Sequence, residues 1–164
     1  MEIELEIKLL TLYDDKILNE LYKIHCQKLG EGYLNKKHLI EEIEKKHIII
    51  AIDKNEVVGY LKFANCTEKE FFKMENLPVP NSNQKILALY TMAVKYEKKG
   101  IGTQTVKFCL DNFLADANKI YCPVWTSKNG TNAHQLLTNF GLKKIKSYKN
   151  FCYKPSLGVK NFCP

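Results

Sequence analysis

The chain has 164 residues, 45% hydrophobic and 26% charged, which fits one globular domain over residues 1–164 with room for a sizeable core. Its net charge is +7 and all 25 basic residues are lysine. Guanidinium forks are the preferred tools for phosphates and guanine edges, so the missing arginine argues against a dedicated nucleic-acid reader.

The start, Met1-Glu2-Ile3-Glu4-Leu5-Glu6, is acidic and alternating, the opposite of a secretory leader. No apolar run approaches the ~20 residues that span a bilayer. The sequence therefore predicts a cytoplasmic protein with no membrane partner. Residues 2–12 alternate with Ile3, Leu5, Ile7 and Leu9 on one parity, the pattern of a half-buried strand. Asp14-Asp15 offers a cap to a helix carrying Ile17, Leu18, Leu21, Tyr22 and Ile24 at helical spacing. Asn35 can cap a second helix through Leu39, Ile40 and Ile43. His47 to Ile52 reads as a buried strand, Asp53 to Glu56 as a turn, and Val57 to Ala64 as the returning arm of a hairpin.

Residues 65–84 carry Pro78, Pro80 and Asn81-Ser82-Asn83, and they read as a long loop of the kind that is more often functional than idle. Its acidic residues Glu68, Glu70 and Glu75 are expected to border the site of a cationic partner. From Lys85 a strand resumes, apolar on both parities and so expected to be central. After Glu97 to Thr103 comes an amphipathic helix with Val106, Cys109, Leu110, Phe113 and Leu114 on one face. Ile120 to Thr126 predicts another strand, Asn132 to Asn139 a short helix stopped at Gly141, and Lys143 to Tyr153 one or two closing strands. The order β-α-α-β-β-β-α-β-α-β predicts an α/β fold with α+β character, a mixed sheet flanked by helices.

Charge divides the chain. Residues 1–82 hold twelve lysines against fifteen acidic residues, net −3, and residues 83–164 hold thirteen against three, net +10. The basic half asks for an anionic partner. Its aromatics Trp125, Tyr148, Phe151 and Tyr153 lie among lysines, as single-stranded nucleic acid would require, but core packing explains them better. The six cysteines, Cys26, Cys66, Cys109, Cys122, Cys152 and Cys163, form no close pair and no histidine stands at zinc spacing from one. They read as reduced, small hydrophobes, with no metal site.

The stretch Tyr90 to Leu110 carries the chemistry. A central strand enters a turn with Gly100 and Gly102, which opens directly into a helix. Missing side chains let a ligand approach the backbone, and the first helical N–H groups lack internal partners at the positive end of the dipole. That is a phosphate cradle, with Lys98 and Lys99 on its rim. A third Rossmann glycine is absent, and so is the lysine of a P-loop.

The segment LYTMAVKYEKKGIGTQTVKFCLDNF resembles the acetyl-CoA motif of GNAT acetyltransferases, a strand followed by [Q/R]-x-x-G-x-[G/A] and a helix. NGTNAHQLLTNFGL, from Asn129, is similar to the second motif of the family, N-x-x-A-x-x-x-Y with a following G-F pair. The likeness is to small, single-domain bacterial members. It implies a central, mostly antiparallel sheet, splayed as a V between two strands and flanked by about four helices. It implies acetyl-CoA as cosubstrate, bound by Met92, Ala93, Val94, Lys98, Lys99, Gly100, Ile101, Gly102, Thr103, Asn129 and Asn132. It implies direct transfer to an amine acceptor, with a strand N–H polarising the thioester carbonyl. No acidic residue lies on the central strand, so Tyr90 or water is left as the base. His134 is the titratable group on the second motif's cofactor stripe, at positions 130, 133, 134 and 137, and is the candidate acid.

The chain departs from the pattern at four places. Glu97 stands where the family has glutamine or arginine, Gly130 falls at the asparagine position with Asn129 and Asn132 on either side, Leu137 replaces the tyrosine, and Leu142 replaces the phenylalanine. These departures leave a second reading open, a GNAT-like module that holds acyl-CoA and has lost its chemistry. A homodimer is among the assemblies the sequence allows.

Overall fold

The computed structural model describes residues 4–29, 35–117, 119–121 and 139–141, with the short strands at 143–144, 147–148, 151–152 and 161–162. Its main elements are β1 (Glu6–Leu9), α1 (Asp15–Leu29), α2 (Lys36–Glu44), β2 (Ile48–Asp53), β3 (Glu56–Thr67), α3 (Glu68–Met74), β4 (Lys85–Val94), α4 (Ile101–Phe113) and β5 (Lys119–Tyr121). The five strands form one mixed, mostly antiparallel sheet in the order β1-β2-β3-β4-β5. With the four helices among the described residues, this is the α/β class expected from the sequence. Lys143–Lys144 pairs in parallel with Asn161–Phe162, and Ser147–Tyr148 in antiparallel with Phe151–Cys152, within the region read as closing strands.

The chain divides into two compact units, Met1–Lys62 with Thr91–Cys109, and Phe63–Tyr90 with Leu110–Pro164. In the first, β2 is buried on both parities from Ile48 to Ala51, as a strand covered on both faces must be. It pairs with β1 from Glu6↔Ile52 to Leu9↔Ile49 and with β3 from Ile48↔Lys62 to Asp53↔Glu56. Lys54 and Asn55 both take positive φ, the backbone of a tight hairpin turn. The Asp14 carboxylate caps α1 by accepting from Ile17 N–H at 2.8 Å, and Asn35 caps α2 by accepting from His38 N–H at 2.9 Å. Both helices bury Leu18, Leu21, Ile24, Leu39 and Ile43 with Ile48, Ile50, Tyr60 and Ala93. Into that core α1 also sends His25, only 2% exposed, whose Nδ1 lies 2.6 Å from the Tyr60 hydroxyl. Its Nε2 has no partner among the described residues. Burial first, and then the charge of Lys62, hold this imidazole below the usual histidine range.

The second unit holds the parallel pairing of β4 with β5, from Ile86↔Lys119 to Ala88↔Tyr121. Here the structure corrects the sequence twice. Strand β3 runs on to Thr67, and residues 65–84 are not a structureless loop, because α3 begins directly at Glu68. Thr67 accepts from Glu70 N–H at 3.2 Å while the Glu70 carboxylate accepts from Thr67 N–H at 2.9 Å, a complete capping box. At the other end of the chain, β1 is shorter than the expected 2–12, and Leu12 and Tyr13 are exposed.

Candidate functional site

In the first unit, β4 leads through Lys95–Gly100 into α4. Lys95 ties the turn to β3: its backbone N–H donates to Val58 O at 2.7 Å, and its ammonium pairs with Glu56. Lys98 and Gly100 take left-handed backbone, φ 60° and 77°, so the chain folds back sharply before the helix starts. A lysine there is strained, whereas glycine is not. The Gln104 N–H donates to Gly100 O at 3.0 Å, leaving the N–H groups of Ile101, Gly102 and Thr103 ahead of the ladder. Lys98, Lys99, Gly100 and Thr103 are exposed around this helix end. Such an end offers an anion backbone donors and the positive end of a thirteen-residue helix, with Lys98 and Lys99 next to it in the chain.

Not every expected contact residue can use its side chain. Ile101 is buried with Ala51 and Val58, and Ala93 is buried in the core against α1 and α2, so each offers a ligand only backbone. Met92 and Val94 are half-buried. Gly102 has a packing role that the sequence did not reveal: a Cβ on it would lie 3.2 Å from Met92 Cε and 3.4 Å from its sulfur. Gly59 has a stronger one. A Cβ there would sit 2.9 Å from Ile101 Cγ2 and 3.3 Å from Ala93 O, so this glycine on β3 lets α4 seat against the sheet. An isolated glycine within an apolar strand was the available signal, and it pointed to close backbone approach.

Glu97 has 70% of its side chain exposed, and its carboxylate lies 3.8 Å from the Lys28 ammonium at the end of α1. The carboxylate that stands out of place beside a phosphate cradle thus has a cationic partner, 69 residues away in sequence and invisible there. An exposed pair of this kind contributes at most ~1 kcal/mol.

Tyr90 belongs to the second unit, half-buried, its ring 6.3 Å from that of Phe71. Two of the carboxylates expected to meet a cationic acceptor are already engaged. Glu70 serves the capping box, and Glu68 is buried against Lys119 and Tyr121. This corrects the expectation for residues 65–84: folding α3 turns Glu68 and Glu70 to internal use. Asn129, Asn132 and His134, with the helix expected at 132–139, lie outside the described residues, apart from Asn139. Cys26, Cys66 and Cys109 are free thiols, and burial pushes that of Cys66 up to about 11. Among the described residues, no helix is long and apolar enough to cross a membrane.

The acetyltransferase (GNAT) family model matches residues 16–142. The chain belongs to the GNAT acetyltransferase family. Among solved structures it is similar to PH1933 from Pyrococcus horikoshii OT3, at 21% identity and TM-score 0.68, over 94% of this chain and 100% of that one. It is similar to a chain of the NatC complex bound to Gag peptide and CoA, at 17% identity and TM-score 0.69, over 95% and 99% of the two. Arabidopsis thaliana NAA60 in complex with acetyl-CoA gives 14% identity and TM-score 0.64, over 92% and 95%. At such identities the likeness is one of fold. No curated protein matches the chain.

Proposed function

We propose that this GNAT protein transfers the acetyl group of acetyl-CoA to a primary amine by direct attack in a ternary complex. The observation that carries the reading is the turn into α4, where left-handed Gly100 leads into the first helical N–H groups just after the exposed Lys98 and Lys99. The diphosphate of CoA is an anion of the charge and extent that such a helix end accepts. Backbone of Met92, Ala93 and Val94 would carry the pantetheine amides, and a strand N–H would polarise the thioester carbonyl. Asn129 and Asn132 would border the same substrate. Lys28 supports this reading by offsetting Glu97.

The amine nitrogen attacks the carbonyl carbon, a C–N bond forms, and the C–S bond breaks. The proton lost by the amine leaves through Tyr90, directly or by way of water. The thiolate takes one from His134, since Leu137 cannot donate. Catalysis then rests on positioning and proton transfer, without a covalent enzyme intermediate.

The test is thiol release from acetyl-CoA with a panel of amines: spermidine, kanamycin, glycine and a peptide with a free N-terminus. Amine-dependent release is expected. Binding of CoA with no release for any amine favours the acyl-CoA-binding module instead.

A further inference from the structure

Helix α3 is fastened at its N-terminal end to the chain just ahead of β4 and to β5. Its first N–H groups donate away from the helix: Glu68 N–H to Gln84 O at 2.8 Å and Lys69 N–H to Ser82 O at 3.2 Å, just ahead of β4. The Glu68 side chain, in a residue 7% exposed, accepts from Tyr121 Oη at 2.9 Å, from Lys119 Nζ at 3.2 Å on both oxygens, and from Ser82 Oγ at 3.2 Å. Lys119 and Tyr121 stand two apart on β5 and share a face, so one carboxylate clips that face at two points. Removing one partner from a buried, charged set is expensive, which makes the clip rigid.

One turn along α3, Phe71 is fully buried and lies flat on the Tyr121 ring, with centroids 4.7 Å apart and planes 8° apart. Phe72 meets the same ring edge-on at 5.8 Å. Tyr121 pairs with Ala88 of β4, and Tyr90 is two residues further along, on the same face. Phe71 therefore lies within ring-contact range of Tyr90, at 6.3 Å and 36°, as well as of Tyr121. The χ2 torsion of a tyrosine is broad, so neighbouring rings decide its orientation.

We propose that Phe71, held in place by Glu68, is a positioning residue that sets the Tyr90 ring for proton transfer. This rests on the reading of Tyr90 given above. Phe71→Met keeps nearly the same volume and removes the flat ring, so the fold should tolerate it. Expected is a kcat about 10-fold lower, a small share of what a general acid or base supplies. The KM for acetyl-CoA and the thermal shift with CoA should not move, and the pH profile of kcat should change shape. In a Tyr90→Phe background Phe71→Met should cost nothing more, because the group it positions is gone. Glu68→Gln, which keeps an acceptor for Tyr121 but loses the charge facing Lys119, should act in the same direction with the same non-additivity, and it stands in if Phe71→Met does not fold.

The outcomes separate cleanly. Losses that add to that of Tyr90→Phe, or that arrive with a weaker CoA shift, make Phe71 a packing residue and overturn the proposal alone. Full activity in both Phe71→Met and Glu68→Gln does the same. Full activity in Tyr90→Phe, or no turnover of the unaltered protein with the amine panel, overturns the parent reading and this one with it.

Discussion

The turn into α4 and the clip at α3 are the two most specialised places in the molecule, and they are built in opposite ways. The turn is exposed, assembled from consecutive residues, and held by backbone conformation: Lys98 and Gly100 left-handed, Gly102 against Met92. The clip is buried, assembled from Glu68, Phe71, Lys119 and Tyr121, and held by side chains 51 and 53 residues apart in sequence. A site that meets an anion can be local, because one helix end already supplies donors and a dipole. A site that fixes a ring cannot be local, because only neighbours from other elements can close around it.

The largest expected effects fall on the proposed proton transfer. His134→Ala should lower kcat by at least ~10-fold, a cautious share of the 10²–10⁴ a general acid supplies, and Leu137→Tyr in that background should restore part of it. Full activity in His134→Ala, measured by thiol release, would show that solvent protonates the thiolate. On the turn side, Gly59→Val should destabilise the protein by ~1–3 kcal/mol through overpacking against Ile101 and Ala93 O, read from chemical denaturation. A neutral result would mean that α4 can slide on the sheet, and the backbone-built half of the comparison would weaken.

A smaller effect comes from pH. The unfolded chain binds a proton on His25 near 6.5, while the folded imidazole, buried and facing Lys62, resists it. The unfolded state then holds more protons, so stability is lost as pH falls below ~6.5 toward the lower folded value, by at most ~1.4 kcal/mol per pH unit for this group. Among the described residues, Tyr60 and Lys62 are ionisable groups that face it. His25→Gln, which can still bond the Tyr60 hydroxyl, should flatten the slope between pH 5 and 7. An unchanged slope would assign the acid sensitivity elsewhere. Smallest of all, Lys28→Ala should weaken CoA by no more than ~5-fold, and Glu97→Gln should recover the loss. Two independent losses would mean that the lysine does not act through Glu97.

This contrast also explains what could be read from the sequence. The buried β2, the caps at Asp14 and Asn35, the hairpin at Lys54-Asn55 and the glycine turn all leave marks on adjacent residues, and each was legible. Helix α3 left such a mark too, in Thr67-Glu68-Lys69-Glu70, a capping box hidden by the prolines that follow at 78 and 80. The tasks of Lys28 and Glu68 were not legible, because each depends on what the fold brings opposite, whereas Gly59 left only the mark of a lone glycine in an apolar strand. Glu68 and Glu70 looked available for a cationic acceptor only until their partners were known.

The central claim, that acetyl-CoA seats on the turn at Gly100–Thr103, is tested most directly by calorimetric titration of CoA into the unaltered protein and into Gly102→Ala and Gly102→Val. Saturable binding to the unaltered protein is expected, and at ~100 times the dissociation constant a stabilisation of ~2.7 kcal/mol. Binding should be weaker in Gly102→Ala and lost in Gly102→Val, with both variants folded because the flexible end of Met92 can yield to the new side chain. Undiminished binding in a folded Gly102→Val, or no binding to the unaltered protein at millimolar CoA, would contradict it.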